Sequence, residues 1–329
     1  MTVTNGMTIR RAAGFAAAVA LILVLAACGG GAGSKLAEGK TNVVTSFYPL
    51  YYFASEIGGD EVNVVNLVPA GVEPHDWTPK SQDIETASNA DLFLYNGAGF
   101  ESWADNFLQG ISKDSTVKTA VISDGIELLE GEGEEHEEHG EEHEEHGEEE
   151  GHEHDSHVDP HTWVSPKSAL IMAENVKNAL VEADAAHKDV YEANYADLKQ
   201  RLEELDARYE TELAGVTRKD IVVSHQAFSY LARDYGLNQV AIMGLSPDAE
   251  PRAQDLMNVV KFVKDNDVQY IFFEELVSDQ LAKTLADEAG VETLVLNPVE
   301  GLTQEQEKEG KDFISIMNEN LDHLLQALK

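Results

Sequence analysis

The sequence is poor in cysteine and in positive charge. Cys28 is its only cysteine, so no disulfide can form within the chain. Lysine and arginine total 23 against 61 aspartate and glutamate residues, which gives a formal net charge of −38. Because this charge repels phosphates, we expect no nucleic-acid partner. At 329 residues, the chain is long enough for two domains with cores of their own.

No apolar run of membrane-spanning length stands out. The N-terminal run Ala12 to Ala27 has sixteen residues and follows two arginines, which is short for a span and normal for a signal peptide. It ends in Leu25-Ala26-Ala27-Cys28, which resembles a bacterial lipobox. We therefore expect residues 1–27 to be a signal peptide and Cys28 to be acylated. Residues 28–41 are glycine-rich and would tether the protein to the outer face of the cell membrane.

From Asn42 onwards, short β-branched runs alternate with helical patterns. This alternation predicts an α/β fold with parallel sheets. We expect two similar (β/α) domains with four-stranded sheets, residues 42–184 and 216–329, joined by one long backbone helix within residues 185–215. That helix is indicated by apolar and tyrosine residues at helical spacing with no Gly or Pro between them, namely Tyr191, Tyr195, Leu198, Leu202, Leu205 and Tyr209.

An acidic, histidine-rich insert interrupts the first domain at residues 127–157. It has no apolar periodicity, so we expect it to be disordered without metal. Between Glu130 and His157 it holds fourteen glutamates, one aspartate and seven histidines, which are His136, His139, His143, His146, His152, His154 and His157. We expect these histidines to collect metal weakly. The alternative is a solubilising loop that binds metal only incidentally.

Two loops with the pattern acid-Pro-His-x-Trp are the most specific feature of the chain. One spans Val72 to Lys80 and contains His75, and the other spans Val158 to Pro166 and contains His161. The proline disfavours a helical conformation at the acid before it, which places each histidine in a turn. Because histidine is the commonest metal ligand, the repetition predicts that both imidazoles serve one metal site. For either loop alone, a histidine that caps a helix or forms local hydrogen bonds would be the preferred interpretation, and the repetition reverses that order.

Further ligands are predicted where strands of the second half end. His225 follows the strand Ile221–Ser224, and Glu300 comes four residues after Leu296. Ligands of open α/β sheets bind beyond the carboxyl ends of strands. We therefore expect all four ligands at strand ends, two in each half, with the metal in the cleft between the domains.

The sequence leaves several candidates for the fourth ligand. The alternatives to Glu300 are water and the acids Glu274 and Glu275, which also follow a strand, while Asn297 offers only a poor amide ligand. Two remaining histidines, His187 and His323, lie on predicted polar helix faces and are expected to be solvated. The tryptophans of the repeated loops, Trp77 and Trp163, are expected to pack beside them.

Three imidazoles and one carboxylate suit Zn²⁺ in tetrahedral geometry. Mg²⁺ and Ca²⁺ prefer oxygen ligands, whereas Cu²⁺ would bind the same set and stays an alternative. Four protein ligands leave no position for a reacting water, and the chain lacks the His-Glu-x-x-His motif of zinc hydrolases. We therefore predict a binding protein with no catalytic residues.

With these residues in hand, the chain resembles the metal-binding solute-binding proteins of bacterial ABC transporters, in the zinc-uptake branch. The resemblance rests on the paired Pro-His loops, the acidic insert, and the segments Val223–Phe228 and Ser246–Pro251. It implies two (β/α) domains joined by a rigid helix, a metal at their interface and an ABC transporter permease as partner. Manganese-type members carry glutamate at the position of His225, which here favours zinc.

The predicted function is therefore an extracytoplasmic zinc receptor, lipid-anchored and monomeric, that delivers Zn²⁺ to an ABC importer. A manganese-specific binding protein is one alternative. Another is a surface adhesin or interaction lipoprotein, in which the metal has a structural role.

Overall fold

Four short segments of the first half pair into a parallel sheet. The computed structural model describes residues 36–131, 158–247 and 251–329. The strands are β1 (Thr41–Thr45), β2 (Val62–Asn66), β3 (Leu92–Tyr95) and β4 (Lys118–Val121), in the spatial order β2-β1-β3-β4. Val43 and Val44 point to opposite faces of β1 and are both fully buried, as expected of a parallel sheet covered on both sides.

Helices connect these strands because parallel strands cannot be joined by tight turns. They are α1 (Tyr48–Gly58), α2 (Ser81–Ser88) and α3 (Ala104–Gly110). After the insert come α4 (Pro166–Ala183), a 3₁₀ turn (Ala185–His187) and α5 (Lys188–Ala214). Helix α4 begins with Pro166 in its first turn, a favoured position for proline, and the Ser165 hydroxyl accepts a hydrogen bond from Lys167 N. At 27 residues, α5 is about 40 Å long.

The second half repeats the arrangement of the first. Its strands are β5 (Asp220–Val223), β6 (Asn238–Ala241), β7 (Tyr270–Phe273) and β8 (Glu292–Val295), all parallel and in the spatial order β6-β5-β7-β8. The helices are α6 (Ser229–Tyr235), α7 (Ala253–Asp265), α8 (Gln280–Ala289), α9 (Gln304–Glu309) and α10 (Phe313–Leu328). The two sheets therefore share one topology, with each central pair of strands flanked in the same order.

One hydrophobic core serves both sheets. Residues 36–329 form a single compact unit. Val43 of β1 and Ile221 of β5 belong to the same buried cluster as the inward-facing side chains of α5. The neighbouring residues Val44 and Val222 face the other way, each into a smaller cluster on the outer face of its own sheet. The long helix therefore packs against both halves and contributes to a core that they share.

The predicted fold class is confirmed by the two parallel four-stranded sheets and the long helix. Helix α9 was missed, because its sequence Gln304–Glu309 is polar throughout and shows no apolar period. Among the described residues, no helix is both long enough and apolar enough to cross a membrane. The predicted signal peptide, Cys28 and the seven histidines of the insert lie outside the described residues.

Candidate metal centre

Four side chains from separate loops meet at one point between the sheets. His75 lies in the loop between β2 and α2, His225 lies two residues after β5, and Glu300 lies five residues after β8. The expectation that every ligand follows a strand is wrong for His161, which comes after an isolated β-bridge between Glu130 and Val158. The helix after β5 begins only at Ser229, which leaves His225 in a bend between the strand and the helix.

Five of the six distances between the ligating atoms of this cluster match the edges of a tetrahedral site. Nε2 of His161 lies 3.2 Å from Nε2 of His75 and 3.2 Å from Nε2 of His225. Oε1 of Glu300 lies 3.5, 3.3 and 3.5 Å from the Nε2 atoms of these three histidines in chain order. Corners of a tetrahedron ~2.05 Å from its centre are separated by about 3.3 Å, the edge expected for zinc with nitrogen and oxygen ligands.

The site contains a buried carboxylate that a bound cation would stabilise. The side chains of His161 and His225 are 0% exposed and that of Glu300 is 1% exposed, whereas that of His75 is 11% exposed. Neither carboxylate oxygen of Glu300 has a hydrogen-bond partner among the described residues. A buried carboxylate without donors is costly, and an ion held between it and the imidazoles would offset that cost.

Charge within the cluster perturbs the titrating groups. Burial alone would raise the pKa of Glu300, but the three imidazoles hold it well below its usual range. Burial alone would lower the pKa of His225, but the carboxylates of Glu274 and Glu300 outweigh it and raise that pKa well above the usual range. The pKa of His161 is raised as well, because Asp159 and Glu300 overcome its burial. These shifts show that the carboxylates and imidazoles of the site interact strongly with one another.

Two of the imidazoles are oriented by buried carboxylates. Nδ1 of His161 lies 2.8 Å from Oδ1 of Asp159, and Nδ1 of His225 lies 2.7 Å from Oε1 of Glu274. A carboxylate only accepts hydrogen bonds, so each Nδ1 carries its proton there and each Nε2 can present a lone pair to a metal. Glu274 was an alternative fourth ligand by sequence, and the structure places it against His225 instead.

The repeated acid-Pro-His pattern has a common structural basis. In both loops the acid accepts a hydrogen bond from the backbone N of the histidine, over 3.1 Å from His75 to Glu73 and 3.0 Å from His161 to Asp159. The shorter Asp159 also reaches the ring of its histidine. The Glu73 carboxyl lies beside that of Glu300, and burial together with this neighbouring charge raises its pKa to about 9.

Glu300 is positioned by a loop with a strained backbone. Val299 has φ of +59°, a conformation that is unfavourable for a β-branched residue. Asn297 stabilises it, since its Oδ1 accepts a hydrogen bond from Val299 N over 2.7 Å, and the Trp163 ring donates to the carbonyl of Pro298 over 2.7 Å. Trp163 belongs to the first half, so a side chain beside His161 also fixes the loop of the second half.

The remaining candidates lie outside the cluster. Oε2 of Glu275 accepts from Asn297 Nδ2 and Gln306 Nε2, over 2.8 and 2.6 Å. His187 is 43% exposed and lies between Asp184 and Glu61, which is compatible with the predicted solvated position. His323 differs from the prediction, because it is half-buried and its Nδ1 lies 2.9 Å from the carbonyl of Val295.

Sequence reasoning missed the residues that support the ligands. Asp159 could have been identified from its place in the repeated pattern, two residues before His161. Tyr230 gave no comparable signal. Its hydroxyl donates to the Asp159 carbonyl over 2.7 Å and accepts from Leu129 N over 3.1 Å, which ties α6 to both stems of the insert. Trp77, as expected, packs beside its loop, with its ring centroid 5.4 Å from that of Trp103.

Comparison with known proteins identifies relatives over nearly the whole described chain. The sequence profile of the family described as zinc-uptake complex component A, periplasmic, matches residues 43–327. The zinc-binding lipoprotein AdcA of Streptococcus pneumoniae strain R6 is 43% identical over 305 residues, which are 93% of this chain and 58% of AdcA. The chain therefore spans little more than half of AdcA. The high-affinity zinc uptake system protein ZnuA of Bacillus subtilis is 42% identical over 313 residues, 94% of this chain and 95% of ZnuA.

Solved structures share the fold. The Zn(II)-bound ZnuA-like domain of Streptococcus pneumoniae AdcA superimposes with a TM-score of 0.73 at 39% identity, covering 88% of this chain and 99% of that domain. The laminin-binding protein Lmb of Streptococcus agalactiae is described as bifunctional, with adhesin and metal transporting activity. It gives a TM-score of 0.75 at 30% identity and covers 88% of this chain and 100% of its own.

Proposed function

The chain belongs to the periplasmic zinc-uptake component A family, and we propose that it is an extracytoplasmic receptor that captures Zn²⁺ as its cargo. The observation that carries this proposal is the cluster of His75, His161, His225 and Glu300, whose ligating atoms all lie within 4.8 Å of one another. The five separations of 3.2 to 3.5 Å among these atoms and the unpartnered carboxylate support a single ion at the centre of the cluster.

The donor set supports zinc over manganese. Three imidazole nitrogens and one carboxylate oxygen suit zinc, whereas harder ions prefer more oxygen ligands. Manganese-type proteins of this class carry a glutamate where this chain has His225. In this chain the neighbouring acid, Glu274, orients the imidazole and is 3% exposed.

A binding role also agrees better with the site than catalysis does. Four protein ligands complete a tetrahedral shell and leave no position for a water nucleophile. The relatives carry names of zinc-binding and zinc-uptake proteins. We therefore assign no reaction to the site.

Delivery would be to the permease of an ABC importer, with the protein held at the outer face of the membrane. We propose acylation of Cys28 after removal of residues 1–27, which agrees with the lipoprotein name of AdcA. We further propose that the receptor acts as a monomer. Intact mass measured on the membrane fraction should show a diacylglycerol adduct that disappears in Cys28→Ser.

The insert would add a weaker, accessory role. Its histidines lie among carboxylates, and its two stems meet at the Glu130–Val158 bridge, three residues before His161. We propose that it raises the local zinc concentration beside the central site. Under this proposal, excision of the insert lowers the number of weakly bound zinc ions and leaves the tight site.

The experiment is a calorimetric titration of zinc and manganese into tag-free protein whose residues 132–157 are replaced by a short Gly-Ser linker. This excision keeps the Glu130–Val158 bridge. We expect one tight zinc equivalent, weak manganese binding, loss of the tight site in His225→Ala, and no loss in the matched control His187→Ala. Tight manganese binding would move the protein to the manganese branch. Absence of a tight site would make the insert the binding element and refute the central assignment.

Surface adhesion is a second candidate because of the similarity to Lmb. In that role the metal would hold the two halves together, and zinc uptake would be unaffected by loss of the protein. Binding to immobilised laminin, compared between wild type and His225→Ala, tests it. Zinc uptake by a deletion strain separates the two functions.

A further inference from the structure

The metal site is most open to the outside beside His75. His75 has an 11% exposed side chain, whereas the other three ligands are at most 1% exposed. An ion that reaches the centre of the cluster without unfolding the second half must therefore pass beside the His75 ring.

A cavity of about 520 Å³ lies on that side of the molecule. The first half contributes Glu73 and Asp76, which flank His75 in sequence, and the second half contributes Met243, Pro247 and Leu276. The cavity thus lies between the two halves. Within the described part of the chain, the loop that carries His75 forms its wall on the side of the first half.

Glu73 links this cavity to the ligands. Glu73 lines the cavity, and its carboxyl accepts a hydrogen bond from His75 N over 3.1 Å and lies beside Glu300. Asp159, the equivalent acid of the other loop, is fully buried and bonded to the ring of its own histidine. The same loop pattern therefore places one carboxylate inside the protein as a support and the other between the site and its cavity.

We propose that Glu73 coordinates the divalent cation in transit between this cavity and the four ligands. The proposal rests on the assignment of the cluster as the metal site. A hydrated ion exchanges its waters in steps, and the Glu73 oxygen replaces one water before His75 and Glu300 replace others. The ligand exchange involves no redox change, and displaced waters leave through the cavity. Glu73 stabilises the passing ion and is not a ligand of the bound state.

A transit ligand has a distinctive kinetic signature. Because it stabilises the state between free and bound ion, its loss slows association and dissociation by the same factor and leaves Kd unchanged. Because an amide oxygen is a poorer metal ligand than a carboxyl oxygen, we expect a factor of about 10 in Glu73→Gln. Loss of a ligand of the bound state would instead raise Kd. Loss of a remote charge would change mainly the association rate.

The test uses the full-length protein, with Trp163 as reporter, since its ring centroid lies 5.4 Å from that of His161. Stopped-flow fluorescence gives the zinc association rate, and excess EDTA gives the dissociation rate. The matched control Asp76→Asn removes an exposed charge from the same cavity. It should lower only the association rate, in a manner that salt suppresses.

The proposal holds if Glu73→Gln lowers both rates about equally. It is overturned if neither rate changes, or if dissociation accelerates so that Kd rises. If zinc does not change the fluorescence of the wild type, the metal site itself is refuted. Failure of the metal site can therefore be distinguished from failure of the transit proposal.

Discussion

The hydrogen bond between Glu274 and His225 gives the sharpest test of the metal site. Both side chains are buried, and Oε1 lies 2.7 Å from Nδ1. Glu274→Gln keeps the size of the side chain and an oxygen that can accept from Nδ1. The substitution removes only the negative charge, so it should weaken the His225 imidazole as a metal ligand and leave the geometry of the site intact.

The expected loss follows from the two kinds of hydrogen bond. A bond to a charged group contributes about 1.5–3 kcal/mol and a neutral bond about 0.5–1.5 kcal/mol. The difference of about 1–1.5 kcal/mol corresponds to a rise in zinc Kd of roughly 5- to 12-fold. The upper limit is the roughly 10- to 100-fold loss typical when the partner of a metal-bound histidine is removed.

Competition calorimetry with a zinc chelator measures this change. Glu288→Gln is the control, because it removes the same charge from the exposed surface of α8. Thermal melting without metal checks that both variants fold. Zinc affinity of folded Glu274→Gln within twofold of the Glu288→Gln value would contradict the proposed role of the bond.

Three further substitutions test other parts of the structure. Trp163→Phe leaves the buried carbonyl of Pro298 without its donor, so urea unfolding should show a loss of about 1–3 kcal/mol, larger with zinc than without. Leu202→Ala opens a cavity in the shared core and should cost about 2–5 kcal/mol in a single cooperative transition; two transitions would show that the halves unfold separately. Hydrogen bonds lower the Asp184 pKa from 3.8 to about 2, despite its desolvation. Its contribution to stability is therefore present above pH 3.8 and lost as pH falls through about 2, and the difference between wild type and Asp184→Asn should shrink over that window.

The fold was accessible from the sequence because its pattern is regular. Runs such as Val62–Asn66 and Leu92–Tyr95 are short and rich in β-branched, leucine and aromatic residues, and helical spacing continues without a break along α5. Helix α9 is fixed instead by its first turn, in which Thr303 and Gln306 form a reciprocal capping box. That Thr-x-x-Gln signal was available in the sequence, although no apolar run accompanied it.

The site was only partly accessible from the sequence. The repeated loops brought His75 and His161 to attention because their pattern recurs. The choice among the acids of the second half depends on conformation, which spacing does not encode. Glu274 bonds to His225, while the left-handed backbone of Val299 turns Glu300 towards the imidazoles. No propensity predicts a positive φ for valine, because the surrounding hydrogen bonds impose it.

The position of α5 has a consequence for how the protein can be taken apart. Tyr191 and Leu198 lie in the same buried cluster as side chains of both sheets. The helix packs against both halves. A fragment containing either sheet alone would therefore expose the part of the apolar face of α5 that the missing half normally covers. The two halves look like a duplicated unit, yet neither can be transplanted as a module, and a chimaera with a relative would have to exchange the helix together with the residues that contact it on both sides.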